Sequence, residues 1–499
     1  MTRDPVSSGF GPGAAASITF LASGSVLVLE IAAGRLLAPY VGVSLATYTG
    51  IIGVILAGIA AGAWLGGRIA DARPPAPLVG PTLVLGGLSA IASVPIVSLV
   101  GAAGAGTGFG SIVLLAAAGF VVPAAILSAA APLVVRATLR DVATSGSIVG
   151  RLSAAGTVGA ILGTFLTGFV LLGLVPTRVL IVGVGVLLIA LGIGVRRWVS
   201  GRIPGAPLAL LATAVAGGAA MLPPGPCDRE SAYYCIAVVV DPARPSGRTL
   251  VLDRVRHAYV DLADPLDLEF GYVRRFADAA VPVLDRTRGD ADVLHVGGGG
   301  FSFPRHLLAA APASRHTVLE LDPVVVATAR DALGLVESER LRVIAGDARL
   351  SIRALPDGAF DLVVGDAFGG LSVPWHLTTR EFLAEVDRVL RDDGPYVLNL
   401  IDGPRLLFVR AEVATLRERF AHLAVVASPA ALGGDAGGNV VLVASHRPID
   451  AAALEERAGA RGDGPGTVVL AEAADLDRFT AGARPLTDDD APVDQLIAR

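Results

Sequence analysis

Charge is what this chain has least of. Only 17% of its 499 residues are charged, against roughly 25% in an ordinary soluble domain. The net charge of -5 and the lack of any Lys/Arg run exclude a basic surface for nucleic acid. Two cysteines, Cys227 and Cys235, are too few for a disulfide framework or a cysteine-rich metal site. His257, His295 and His376 form no recognisable ligand set, so each is read as structural and no metal is expected.

The scarcity of charge is uneven. From Ala14 to Leu222 acids are nearly absent and apolar runs are long, whereas from Cys227 to Arg499 charges return at ordinary density. A boundary is expected near 223–230, at the turn Pro223, Pro224, Gly225, Pro226. Met1 to Gly13 lacks the basic start and cleavage site of a secretory signal and is expected to be a cytoplasmic tail. Residues 14–222 hold seven apolar segments, at about 15–38, 45–67, 78–102, 110–135, 148–173, 177–195 and 206–222. Most reach the roughly 20 residues that a helix needs to cross a bilayer, the last being the shortest. None shows the polar face of a soluble helix. The expectation is an all-α transmembrane bundle of about seven helices.

Small residues recur in these segments, as Gly53, Gly58 and Gly62 and as Gly156, Gly159, Gly163 and Gly168, at spacings that let membrane helices approach closely. Glu30 and Arg35 lie five apart in the first segment. An unpaired charge there is costly, so they read as a structural ion pair, or alternatively as a substrate or headgroup site. Arg68 and Arg73, Arg136 and Arg140, and Arg196, Arg197 and Arg202 follow the second, fourth and sixth segments. By the positive-inside rule those loops and the N-terminus are cytoplasmic.

The second half is organised around Asp292 to Asp322. A short apolar run (Val293, Leu294, Val296) breaks into Gly297, Gly298, Gly299 and Gly300, a helical pattern follows, and a second apolar run ends in Glu320 and Asp322. This is strand, glycine turn, helix, strand, acid, the order of a nucleoside site in which the acid accepts from a ribose diol. Before it, residues 227–285 read as a small antiparallel β domain with a connecting helix. From 286 to 499 strands and helices alternate, with strands at 292–296, 316–320, 341–345, 360–365, 395–401, 422–428 and 438–445, the last two a hairpin. That is a doubly wound, Rossmann-like sheet of the class I methyltransferase plan. Asp347, beside Ala348, and Asp366 also fall at strand ends on the ligand side, where Asp347 could meet an adenine amino group and Asp366 a reacting group. Taken singly, each of Glu320, Asp347 and Asp366 reads more often as a helix N-cap or a solvated turn residue.

The series VLHVGGGGFSFPRHL, VLELDPVVVATAR, VIAGDARLSI and FDLVVGDAFGGLSVPWHLTTREFL resembles the spermidine synthase family of aminopropyltransferases, in its membrane-fused bacterial form. The resemblance covers about 230–445, and EIAAGRLLAPYVG and AWLGGRIAD are similar to the membrane part of the fused proteins. It implies a donor, S-adenosylmethionine or its decarboxylated form, held by Gly297 to Gly300, Glu320, Asp322, Asp347 and Ala348, with Asp366 as catalytic base. Three positions depart from the family: Gly300 and Gly369 stand where it has aspartates, and His257 where it has a glutamine. A diamine is therefore a doubtful substrate, since each desolvated ammonium needs a carboxylate.

Three functions compete: aminopropyl transfer to an amine, methyl transfer to a lipid or amine, and nucleoside binding without turnover on a transporter or scaffold. The partners expected are the bilayer and a small-molecule amine or membrane-associated acceptor, with a homodimer left open. Seven crossings would put residues 227–499 outside the cytoplasm, whereas the implied donor is kept inside it. A re-entrant seventh segment reconciles the two, so the expectation leans to a cytoplasmic C-terminal domain with both cysteines reduced.

Overall fold

The computed structural model describes residues 10–497 except 105, 107, 140, 202–205, 222–224, 371 and 462–465. The N-terminal tail up to residue 9, Arg140, Arg202, and Pro223 and Pro224 of the expected boundary lie outside the described residues. The chain divides into two compact units, Met1–Cys235 and Ile236–Arg499.

The first unit is helical. Its elements are α1 (Pro12–Val41), α2 (Leu45–Ala72), α3 (Ala76–Ala102), α4 (Phe109–Ser128), α5 (Ala130–Thr138), α6 (Ser145–Leu166), α7 (Leu172–Leu174), α8 (Thr177–Ser200) and α9 (Ala206–Met221), followed by a two-residue strand β1 (Arg229–Glu230). Pro132 breaks α4 from α5 at Ala129, because its ring offers no N–H to the carbonyl four residues back. A π turn at Thr167–Leu171 joins α6 to α7. Counted as continuous spans, six helices are long and apolar enough to cross a membrane, compatible with a multi-pass membrane protein. The seventh expected segment is α9, whose 16 residues fall short of that length.

Within the bundle α1 lies against α6, α2 against α4 and α3 against α8. Glycine sets those approaches. A Cβ on Gly62 would run into the carbonyl of Ala125, one on Gly66 would come within 2.7 Å of Ala129, and one on Gly163 within 2.6 Å of the Gly24 oxygen. Gly58, Gly156 and Gly159 are similarly enclosed, whereas Gly53 and Gly168 face open space. The Glu30–Arg35 ion pair is not made. Residues five apart point to different sides of a helix, and Arg35 instead donates to the carbonyls of Tyr233 and, at 2.9 Å, Ser231.

The second unit starts with a small antiparallel sheet of β2 (Cys235–Val240), β3 (Gly247–Leu252) and β4 (Val255–Asp261), then α10 (Gly271–Thr287). The main sheet comprises β5 (Asp292–Val296), β6 (Arg315–Glu320), β7 (Leu341–Ala345), β8 (Leu362–Gly365), β9 (Tyr396–Asp402), β10 (His422–Ala427), β11 (Gly438–Ser445) and β12 (Val468–Leu470), in the order β12-β10-β11-β9-β8-β5-β6-β7. Strands β7, β6, β5, β8 and β9 are parallel, and β11 runs antiparallel to both β9 and β10. The expected hairpin is thus present; β12, three residues on the edge beside β10, was too short to be legible. Crossover helices α11 (Ser302–Ala310) and α12 (Pro323–Ala332) follow β5 and β6.

Alternation along the strands fills both faces. Leu294, Val363, Leu398 and Leu400 pack with Phe382 and Phe408 on one side, and Val293, Val364 and Val397 with Phe276 and Phe303 on the other. The first parallel strand, β5, is flanked by β6 and β8, so the strand order reverses there. Open α/β sheets bind ligands at the carboxyl ends beside such a reversal.

The glycine contacts make a direct prediction. Gly62→Ala should lower the thermal denaturation midpoint of the detergent-purified protein, with an overpacking cost of about 1–3 kcal/mol, while Gly53→Ala should leave it in place. Equal midpoints for the two variants would contradict this packing.

Candidate active site

The glycine turn leaves β5 under tight steric control. Gly297 has φ +97°, a conformation rarely open to other residues, and a Cβ there would collide with the backbone carbonyl of Asp366 at the end of β8. The turn closes through Phe301 N–H donating to the Gly298 carbonyl at 2.8 Å. Phe301 itself is left-handed at φ +55° and fully buried. Its ring lies under Gly298, where a Cβ would be 2.7 Å from it.

Glu320 ends β6 and turns back onto the glycines. Its Oε2 accepts from the N–H groups of Gly298 at 2.8 Å and Gly299 at 3.0 Å, and its Oε1 accepts from Asp322 N–H at 3.0 Å. Burial raises its pKa, and the three N–H donors oppose that rise. A carboxylate offers about four acceptor positions, so the turn leaves room for a further donor such as a ribose hydroxyl. This is the fit expected of a nucleoside site.

Asp322 and Asp347 sit close by in different roles. Asp322 is buried and caps α12, accepting from Val324 N–H at 2.8 Å. Asp347 caps the short helix Ala348–Ser351, accepting from Arg349 N–H at 2.8 Å, and its other oxygen lies 3.7 Å from His376 Nε2. The helix-cap alternative therefore holds for both. The Asp347 side chain is also 38% exposed, which leaves its second oxygen open to solvent or ligand.

Asp366 is the most perturbed acid among these. It follows β8 and is held in place by its own N–H donating to the Val296 carbonyl at 2.8 Å. Its Oδ2 accepts from the Tyr272 hydroxyl at 3.1 Å and its Oδ1 from the Asn399 amide at 3.2 Å. Burial pushes its pKa up from 3.8 to about 6, and these two donors hold it from going higher. Tyr272, in the first turn of α10, is itself driven well above its ordinary range by burial and by the Asp366 charge. It stays a neutral donor.

Tyr272 and Asn399 were not singled out from sequence. Asn399 carried a signal, as a lone amide within the apolar strand YVLNLID. Tyr272 carried none, because only the fold brings α10 over the end of β8.

The departures also have geometry. A Cβ at Gly300 would lie 2.5 Å from the Ala258 side chain, so β4 enforces glycine there. At Gly369 the nearest atom to an added Cβ would be 3.8 Å away, an ordinary contact. Burial takes His257 down to a pKa of about 4, so it is neutral at pH 7. His295, His316 and Ser314 form a buried hydrogen-bonded row with spacings of 3.1 and 2.8 Å, which occupies His295 in a structural contact. Among the described residues no cluster of His, Cys, Asp or Glu could hold a metal ion.

The C-terminal half is similar in sequence to known proteins. A family model described as a methyltransferase domain matches residues 294–398. A polyamine aminopropyltransferase of Vibrio vulnificus is 37% identical over 130 residues, 26% of this chain and 43% of that protein. The eEF1A lysine and N-terminal methyltransferase of Xenopus laevis is 31% identical over 120 residues, 22% of this chain and 17% of that one. A crystal structure of a probable spermidine synthase from Corynebacterium glutamicum aligns with 51% of this chain and 94% of its own, at 28% identity and a TM-score of 0.48. The chain spans less than half the length of the Vibrio relative. The C-terminal half of this chain is thus a relative of the spermidine synthase family, built on a methyltransferase-like fold and preceded by a bundle of long apolar helices.

Proposed function

We propose that the C-terminal domain is a transferase that binds an S-adenosylmethionine-type donor and moves its aminopropyl group to an amine. The observation that carries this reading is a half-buried carboxylate, Asp366, held by Tyr272 and Asn399 on a residue whose backbone abuts the glycine turn. When bound, the donor supplies a carbon activated by a sulfonium and departs as a thioether. Glu320 and the turn would hold the ribose, and Asp347 the adenine edge. Asp366 then lies beside the reacting carbon, where it accepts the proton that the attacking nitrogen loses as the C–N bond forms. A pKa of about 6 suits a base that works near neutrality.

Methyl transfer is the second reading, favoured by the match to a methyltransferase domain and by Gly369, which stands where the resembled family has the acid that helps hold the diamine. Titrating the full-length protein in detergent with S-adenosylmethionine and with its decarboxylated form, then analysing products, separates the two. Aminopropylated amine from the decarboxylated donor supports the first reading. Methylated product from S-adenosylmethionine alone supports the second, and binding of neither donor contradicts both.

Three outcomes follow from the site. Glu320→Ala should weaken nucleoside binding by about 1–3 kcal/mol, the range for a hydrogen bond to a charged group, as read by calorimetry; unchanged affinity would remove Glu320 from the site. Turnover should rise with pH through about 6 as Asp366 loses its proton, and Asp366→Asn should cut it roughly 100-fold while donor binding persists.

The raised pKa also carries a stability cost. Below 3.8 Asp366 is protonated in folded and unfolded states alike and costs nothing; above about 6 it is ionised in both, and the folded state bears the burial penalty. That penalty is on the order of 3 kcal/mol at 1.36 kcal/mol per pKa unit. Asp366→Asn should therefore be more stable than the parent at pH 8 in thermal denaturation, with the gap closing toward pH 4. A gap that widens as pH falls would contradict the burial of this charge.

A further inference from the structure

We propose that the C-terminal domain lies on the extracytoplasmic side of the membrane, joined to the bundle by a disulfide-closed collar. This reverses the expectation of a cytoplasmic domain with reduced cysteines. It is independent of the donor reading, because it rests wholly on the first unit.

The reduced state is corrected first. Cys227 and Cys235 are bonded to each other, with Cα atoms 5.2 Å apart. Disulfides persist in oxidising compartments and are rare in the cytosol.

The position of this bonded loop is the second observation. Arg68 and Arg73 close α2, Arg136 lies in the last turn of α5, Arg151 lies near the start of α6, and Arg196 and Arg197 lie near the end of α8. The helix directions bring these to one end of the bundle. Gly66 abuts Ala129 at the close of α4, and Gly80, near the start of α3, abuts Arg196 near the close of α8. The opposite end is marked by Gly101 against Tyr40, Gly34 against Tyr48, and Arg178 donating to Ser98 at 3.1 Å. The first end carries the arginines and is cytoplasmic by the positive-inside rule.

Helix α9 leaves the arginine end after Arg197 and runs to the other. Gly217 lies beside Val182, near the start of α8, and Gly225 lies beside the Arg178 guanidinium. Sixteen residues at 1.5 Å each reach about 24 Å, short of the roughly 30 Å of hydrocarbon but most of the way across it. The collar then docks on the arginine-poor end by three contacts. Thr177 N–H, at the start of α8, donates to Glu230 at 2.8 Å, a carboxylate at a helix N-terminus. Arg35 donates to the carbonyls of Ser231 and Tyr233. These carbonyls, rather than the expected Glu30, are the partners of Arg35.

The chemical consequence concerns supply. A domain on this side meets nucleosides and amines of the extracytoplasmic compartment, so a cytoplasmic donor would have to be exported to reach Asp366.

The test uses the full chain in intact cells. Every cation in the sequence is arginine, so amine reagents have no lysine to report and thiols are the handle. Cys235→Ser frees the half-buried Cys227. A membrane-impermeant maleimide–polyethylene glycol should label that variant in intact cells and leave the parent unlabelled. Labelling of the variant only after permeabilisation would overturn the placement, and labelling of the unreduced parent would overturn the disulfide. Alkaline phosphatase fused after Arg499 gives a second readout that does not depend on thiol access. It should be active, and an inactive fusion in full-length, membrane-inserted protein would overturn the placement.

Discussion

The site depends on one steric constraint: the backbone at the end of β8 presses on the glycine turn that leaves β5. A side chain at Gly297 would displace the Asp366 carbonyl, and Asp366 N–H is in turn fixed to Val296. The two strand ends are thereby locked together, which sets the Asp366 carboxylate next to the turn that would receive a nucleoside. Everything else at the site works around that lock. Phe301 fills the space beneath the turn, Glu320 accepts from two of its amides, and Tyr272 and Asn399 supply the two donors that hold a half-buried carboxylate without a cation.

That arrangement trades stability for reactivity. A carboxylate paired with arginine would be more stable and less basic; one held by a phenol and an amide retains a pKa of about 6. With glycine at 300 enforced by Ala258 and glycine at 369 unforced, the second is the position at which an added acid could most readily restore binding of a diamine.

Most of the second unit was legible in the sequence because parallel strands buried on both faces read as short apolar runs, and because glycine and acid recur at their ends. Strands from 292 to 445 fall within two residues of their expected bounds. What pattern could not supply was lateral proximity: Tyr272 is 94 residues from Asp366, and no local signal announces such a contact. In the first unit, composition marked the apolar segments but not the partner of Arg35, since the collar at Ser231 and Tyr233 lies nearly 200 residues away. Redox state was misjudged for a related reason. The cysteine pair was read with the seventh segment taken as re-entrant to keep the donor side cytoplasmic, whereas Gly217 beside Val182 and Gly225 beside Arg178 are contacts that only three dimensions reveal.

The central claim is that a nucleoside thioether occupies the ends of β5, β6 and β8 with its sulfur facing Asp366. An experimental structure of the full-length protein with methylthioadenosine tests it most directly. The ribose hydroxyls should lie on Glu320 and the sulfur beside the Asp366 carboxylate. Density for the nucleoside elsewhere on the domain, with Glu320 still engaged only by Gly298, Gly299 and Asp322, would contradict it.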